Sequence, residues 1–506
     1  MPLRMSWPAA ALAAMTIIMI APLWAVRTPA MPDYPAHLAS FWLIGGGANP
    51  FYKVHWTQAP NLASEAIVSL LARLTRLDIA AKLFLSIALA MWVMSGAWIQ
   101  RVLCGRLGVT PLFGALFAYN ANFFWGFFNY YFAAGLALML FAAWIASQSR
   151  AGAARTTLFA LGAIAVYFCH VFAALTLIAM IASFEAMRGL GEKDLGRRMR
   201  HVAVLLAPVL ILFLALRPAG AGMHLAFNLY DTMPDRFDSL MLYRFDDPDC
   251  WLPCLIGVVL LGTLLFRRAR LAQPMWLVLA GLIVAALIAP EEAMGGWGVH
   301  LRLPALAALL LLAACDIPLD SRMTARLTVL ALLLAGWSSL SLALSWTQYD
   351  RQTKEFRAAE QSLPQGVRIM TVLDGDAIGW NSDPPYWHMA EWGIIDRQAM
   401  TALMFTTKGQ HVVALRPDLV PFAAATADQG MPPDIDDLDT LASGSNDDEL
   451  KQTVPYLMHF PCHYDEAVVI HLGGRRSAIP AMLRLRHAGS FFSVYDIAPG
   501  PACTAR

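Results

Sequence analysis

Residues 9–26 read AAALAAMTIIMIAPLWAV, without a single charged side chain. A helix needs about 20 mostly apolar residues to cross the hydrocarbon layer, or slightly fewer when it is tilted or flanked by polar anchors. This run meets that need. It surfaces at Arg27 and continues into Met31-Pro32-Asp33-Tyr34-Pro35-Ala36-His37-Leu38. A carboxylate sits where the chain leaves the membrane, and a histidine follows one helical turn later.

Similar apolar runs recur at 79–100, 108–120, 127–147, 156–170, 171–187, 202–217, 251–266, 275–290, 303–315 and 325–346. That makes about 11 spans, with the usual uncertainty at their boundaries. The 108–120 run is short, and 156–170 with 171–187 could be one helix bent at His170. The composition agrees with this map. The chain is 58% hydrophobic and only 14% charged, against about 25% charged in soluble domains. It is an integral membrane protein. A net charge of +1 supplies no basic footprint for nucleic acid.

Lysine and arginine density sets the orientation. Arg4, Arg101, Arg106, Arg150, Arg155, Arg188, Arg197, Arg198, Arg200, Arg267, Arg268, Arg270 and Arg322 crowd one set of loops. Those loops are predicted to be cytoplasmic. Asp33 then faces outward, together with everything after residue 346. Reading the first span as a signal peptide leaves Asp33 outside as well.

The sequence divides at about 346/347. Residues 1–346 form the transmembrane domain. Its first outer loop, 27–78, carries two amphipathic stretches near 35–46 and 62–76, suited to lying at the membrane interface. Residues 347–506 hold 20 acidic and 13 basic residues and form an extracytoplasmic α/β domain. Strands are expected at 367–373, 411–415, 467–471 and 491–495, with a helix over 387–403. The acidic stretch 428–450 reads as a flexible linker. Cys462 and Cys503 both lie in this domain and could pair if it is extracytoplasmic.

Several residues could carry chemistry. A carboxylate at the bilayer surface can accept a proton from an attacking hydroxyl. The plain alternative is that Asp33 caps the helix that Pro35 helps to start. Arg302, at an outer helix end beside His300, suits phosphate. Its alternative is an ion pair with Glu291 or Glu292. His170 reads as a packing histidine, and Asp246, Asp247 and Asp249 as a solvated acidic loop. Tyr386, Trp387, His388, Glu391 and Trp392 form an aromatic–polar cluster that also suits a core helix at i, i+4 spacing. No Gly-rich phosphate loop follows a strand. No serine–histidine–acid set is visible from spacing.

The acidic first-loop segment, the amphipathic stretches, the many spans and the outer C-terminal domain together resemble the GT-C superfamily of membrane glycosyltransferases. Asp33-Tyr34-Pro35-Ala36-His37-Leu38 resembles an Asp-x-Pro-x-His-Leu segment of uncharacterised bacterial proteins of that build. Phe123-Phe124-Trp125-Gly126-Phe127-Phe128-Asn129-Tyr130 is similar to a second segment of theirs.

The resemblance implies transfer of a sugar from a polyprenyl-phosphate donor to a glycolipid, polysaccharide or protein acceptor. The expected setting is the periplasmic face of a cell inner membrane. It implies Asp33 and His37 as catalytic residues and Arg302 and His300 at the donor phosphate. Tyr34, Asn129, His170, Glu291 and Glu292 are then candidates for lining the substrate site. The paired first-loop acids of some families are absent, which leaves a divalent cation open. Other readings are a lipid-linked saccharide transporter or flippase, a polysaccharide polymerase or ligase, and a non-catalytic envelope assembly protein.

Overall fold

The computed structural model describes residues 7–56, 60–149, 152–216, 225–227, 236, 239–240, 242–243, 248–249, 251–265, 268–293, 296–375, 384–407, 410–425, 429–444, 447–473, 477–500 and 503. Most of the expected outer loop 218–250, including Asp246 and Asp247, lies outside them.

Among the described residues, six helices are long and apolar enough to cross a membrane: Pro8–Ala25, Leu77–Cys104, Phe128–Ala146, Val171–Glu192, Leu195–Leu216 and Ser321–Glu360. Four shorter apolar helices join them: Ala153–Cys169, Trp251–Leu264, Met275–Ile288 and His300–Ala314. The expected pair around His170 is two helices. His170 itself is extended (φ −168°, ψ 126°) and breaks the chain between them.

The expected 108–120 span is not one helix. The chain makes a helix at Thr110–Ala115, a 3-10 turn at Leu116–Ala118 and a second short helix at Ala121–Trp125. Thr110 bonds the Cys315 carbonyl at one end (3.0 Å). Trp125 meets Asp33 at the other. Asn120 breaks the run by capping the second helix, its side chain accepting from the Asn122 N–H. Broken backbone is tolerated at membrane depth only where protein surrounds it, and every residue from Gly114 to Gly126 is buried.

The two ends of the bundle differ. At one end Arg106 pairs with Asp316 (2.6 Å), and Arg198 bridges Glu185 and Glu192. These are the loops predicted to be cytoplasmic. Glu185 also accepts from Trp144 and Gln148 (2.8 Å each). At the other end the first loop, the 121–130 segment and the C-terminal domain meet.

The helix Ser321–Glu360 is continuous for 40 residues. It therefore runs through the expected boundary at 346/347 and links the two parts rigidly. The C-terminal sheet has five strands in the spatial order Met400–Thr401, Arg368–Asp374, Glu466–His471, Phe492–Ile497, Leu483–Ala488. The first three are mutually parallel; the rest are antiparallel.

Several expected elements differ. Residues 387–403 form a 3-10 turn (Met389–Glu391), a short helix (Trp392–Arg397) and a strand. The 411–415 strand, observed as Val413–Leu415, leaves the main sheet and pairs antiparallel with Tyr52–Val54 of the first loop. The 428–450 stretch holds the helices Leu438–Ser443 and Asp448–Thr453, with Ile435, Leu438 and Leu441 buried. Those apolar residues at helical spacing anchor it despite its charge. Of the two first-loop stretches, Ala63–Leu71 is amphipathic, exposing Leu70. Tyr34–Ile44 is buried on nearly every face because the C-terminal domain covers it. Cys462 and Cys503 form a disulfide.

The fold also assembles a set that spacing hid. His471 lies 2.8 Å from Asp374 through Nδ1 and 2.8 Å from Ser493 through Nε2. Ser493 is buried within the strand Phe492–Ile497 rather than on the exposed turn that a nucleophile uses. The set ties three neighbouring strands together.

Candidate active site

Asp33 stands at the N-cap of Tyr34–Ile44, yet its side chain makes no capping bond. Its backbone carries the local structure instead. The Asp33 carbonyl accepts from the His37 N–H (2.9 Å), and its N–H donates to the Trp125 carbonyl (3.2 Å). Gly126 follows, left-handed at φ +88°. A Cβ there would lie 3.1 Å from the Asp33 Cβ, so glycine allows the approach. His37 Nε2 meets the Gly126 carbonyl at 3.1 Å, and its ring stacks on Phe128 at 4.6 Å. The 125–128 turn thus clamps Asp33 and His37 while leaving the Asp33 carboxylate free.

The C-terminal domain supplies what faces that carboxylate. His388 Nε2 is 3.8 Å from Asp33 Oδ1, and His388 Nδ1 is 3.7 Å from Glu391 Oε2. Phe405 sits between three histidines: its ring meets His37 at 5.2 Å, His388 at 5.0 Å and His411 at 5.2 Å.

Burial raises the Asp33 carboxyl to about 7, with His388 opposing the rise. Burial, then the neighbouring His411, lowers His37 to about 3. Burial lowers His411 to about 4. Burial also pushes His388 down, but Glu391 and Asp33 outweigh it and leave His388 above the ordinary histidine range. His37 is therefore a neutral wall, and Asp33 is a carboxylate poised to take a proton near neutrality.

Arg302 forms the second half. It lies on the 3-10 turn His300–Arg302, ahead of the helix Pro304–Ala314. Its guanidinium is caged by Phe172 (4.9 Å), Tyr130 (5.3 Å) and Phe127 (5.6 Å), a cation–π setting. Nη2 donates to the Trp297 carbonyl (3.2 Å), while the buried Nε and Nη1 have no hydrogen-bond partner. Arg302 heads a cavity of about 250 Å³ between the helices Val171–Glu192 and Met275–Ile288. Leu175, Met180, Val278 and Leu282 make its walls apolar, with Tyr130 and Phe172 beside the arginine.

One segment joins the two halves. Trp125 and Gly126 hold Asp33 and His37; Phe127 and Tyr130 hold Arg302. Trp125 also packs on Trp297 at 4.9 Å.

The other expected residues sort by position. His170 meets Tyr130 edge-on at 5.3 Å and flanks the Arg302 cage. His300 is buried beside Trp297. Glu291 accepts from the Trp297 indole (3.1 Å), and Glu292 is buried on the adjacent strand. Glu291 is thus bonded to Trp297. Tyr34 is wholly buried against Phe128. Asn129 turns away from the site. Its amide accepts from the Ser64 N–H (2.7 Å) and donates to the Asn61 carbonyl (3.0 Å) and Glu65 (2.8 Å). These bonds fix the 61–65 loop.

Sequence reasoning gave His388 and Glu391 the core-helix reading and passed over Phe405 and His411. The signal was the clustering of His388 with Glu391 among aromatics. Among the described residues no group of three or more His, Cys, Asp or Glu side chains is disposed to hold a metal ion.

No protein-family model matches the chain, and no curated protein matches it. Two solved structures are similar to it in outline. One is the crystal structure of ArnT from Cupriavidus metallidurans in the apo state, 12% identical, TM-score 0.49, covering 97% of both chains. The other is the cryo-EM structure of the arabinofuranosyltransferase AftD from Mycobacteria, 14% identical, TM-score 0.46, covering 98% of this chain and 40% of that one. At these scores the functional reading rests on the site itself.

Proposed function

We propose that this chain is a GT-C-type membrane glycosyltransferase. It moves a sugar from a polyprenyl-phosphate donor to a hydroxyl acceptor of the cell envelope, a glycolipid, polysaccharide or protein. The observation that carries the reading is a half-buried, uncapped carboxylate linked to a caged arginine through the single 125–130 segment.

The acceptor oxygen attacks the anomeric carbon as Asp33 takes its proton. The bond between that carbon and the phosphate oxygen breaks. Arg302, with two unused donor nitrogens, holds the phosphate as its charge grows. The apolar cavity below Arg302 suits a prenyl chain.

Asp33 and the C-terminal domain belong on the periplasmic side in this reading. The arginine-rich opposite end and the Cys462–Cys503 disulfide support that side. Transport is less well supported: Glu185 is bonded into the arginine network, whereas transporters keep functional charges near the membrane midplane.

The test uses the full chain in nanodiscs with a panel of short-chain polyprenyl-phosphate sugars and membrane extract as acceptor source. Release of polyprenyl phosphate is measured. Asp33→Asn should abolish release while the protein still inserts and folds. Wild-type turnover by that variant would remove Asp33 from the mechanism.

A further inference from the structure

The C-terminal domain reaches the Asp33 carboxylate through His388. We propose that His388 is the positioning residue for Asp33, and that buried Glu391 holds His388 as the cation that keeps Asp33 ionised and aimed. This rests on the reading of Asp33 as the base.

Three observations carry it. The two ring nitrogens of His388 address two different carboxylates, Asp33 at 3.8 Å and Glu391 at 3.7 Å. Glu391 is fully buried, and neither of its oxygens has a hydrogen-bond partner. A buried carboxylate without such a partner needs a nearby positive charge, and His388 is the group at hand. Both separations are those of ion pairs rather than short hydrogen bonds. Asp33 therefore keeps its lone pairs for an acceptor hydroxyl, and contacts of this kind tighten once substrate arrives.

The surroundings single out His388. The charged and titratable groups facing the array are Asp33 and His37 from the first loop, His411 beside Phe405, Glu391, Glu360 behind it, and the hydroxyls of Tyr52 and Tyr456. His37 and His411 are the other two histidines, and both are held neutral by burial. His388 alone has carboxylates on both sides.

The C-terminal domain is then an integral part of the catalytic unit, not a tethered accessory. Its docking keeps His388 in register. The pairing of Tyr52–Val54 with Val413–Leu415 and the continuous Ser321–Glu360 helix supply that docking.

The test compares wild type, His388→Gln, Glu391→Gln, Asp33→Asn and the double variant Asp33→Asn/His388→Gln, all as full chains in nanodiscs. His388→Gln should lower kcat about tenfold to a hundredfold with the donor KM unchanged. Removing the cation raises the Asp33 pKa, so the acid limb of kcat/KM should move to higher pH. Glu391→Gln weakens the protonation of His388 and should move the limb the same way by less. The double variant should be no worse than Asp33→Asn alone, because His388 acts through Asp33.

An activity-free readout covers variants that fold poorly. The protonated carboxyl stretch of Asp33, taken as the infrared difference between wild type and Asp33→Asn, should titrate at higher pH in Glu391→Gln than in wild type. An unmoved acid limb and an unmoved carboxyl titration overturn the inference. If Asp33→Asn is itself fully active, the functional reading fails rather than this one.

Discussion

Gly126 and Asp33 touch: a Cβ at 126 would come within 3.1 Å of the Asp33 Cβ, and Gly126 holds φ +88°. Asp33 is therefore seated against a backbone conformation that L side chains rarely adopt. Gly126→Ala should carry a backbone penalty of about 1 kcal/mol and push Asp33 aside. The expected result is a small fall in melting temperature with a large fall in kcat, read by thermal melting and product release on the same preparation. Unchanged kcat would mean that Asp33 tolerates displacement.

The Asp33 carboxyl is raised to about 7 by burial, with His388 opposing. A base acts when deprotonated, so kcat/KM should rise with pH through about 7 and level off above it. Stability should run the other way. Between roughly pH 4 and 7 the folded protein keeps this proton and the unfolded chain releases it, so folding weakens as pH rises across that window. Asp33→Asn removes the titration. It should melt higher than wild type at pH 8, and the difference should shrink toward pH 4. Melting curves at several pH values check this.

Arg302 offers two unpartnered nitrogens at the head of an apolar cavity. Arg302→Lys keeps the charge but loses the planar fork. Donor KM should rise about tenfold, or about 1.4 kcal/mol, for one lost charge-assisted contact. Arg302→Ala should cost more. Acceptor KM should stay near wild type in both, as measured by varying each substrate in turn.

Asn129 binds the 61–65 loop through three hydrogen bonds, one of them to buried Glu65. Asn129→Ala leaves that carboxylate short of a donor. It should destabilise the protein by about 1–3 kcal/mol while both KM values hold. A selective rise in one KM would return Asn129 to the substrate site.

The membrane spans were legible because an apolar run has to lie in lipid whatever surrounds it. Residues 9–26, 275–290 and 303–315 were found within a few positions by that rule alone. The 108–120 segment was not, because its break depends on Asn120 and on burial by neighbouring helices, neither of which hydropathy registers. The acidic helix at 438–443 was hidden by its charge, although Leu438 and Leu441 carried its packing signal. Strand 483–488, reading Leu-Arg-Leu-Arg-His-Ala, shows the alternation of an edge strand but was passed over amid so many charges.

At the site, Asp33 and Arg302 were legible because each charged group stands out at the edge of an apolar run. His388 and Glu391 were not. They lie among aromatics that equally suit a core helix, and their partner is more than 350 positions away in sequence. Asn129 gave no sequence signal of its hydrogen bonds to the 61–65 loop, which only the fold brings within reach.

The sequence by itself determined the membrane character, most of the spans, the presence of a C-terminal sheet domain, and the two charges on which the proposed chemistry would turn. Those follow from transfer energies, which are properties of each segment taken alone. Only the tertiary structure decided that the Asp33 side chain makes no cap bond, that Trp125 to Tyr130 join it to Arg302, and that His388 from the C-terminal domain faces it. Those are distances between remote parts of the chain, set by how the long helix and the first-loop strand pair dock two regions whose sequences carry no mark of each other.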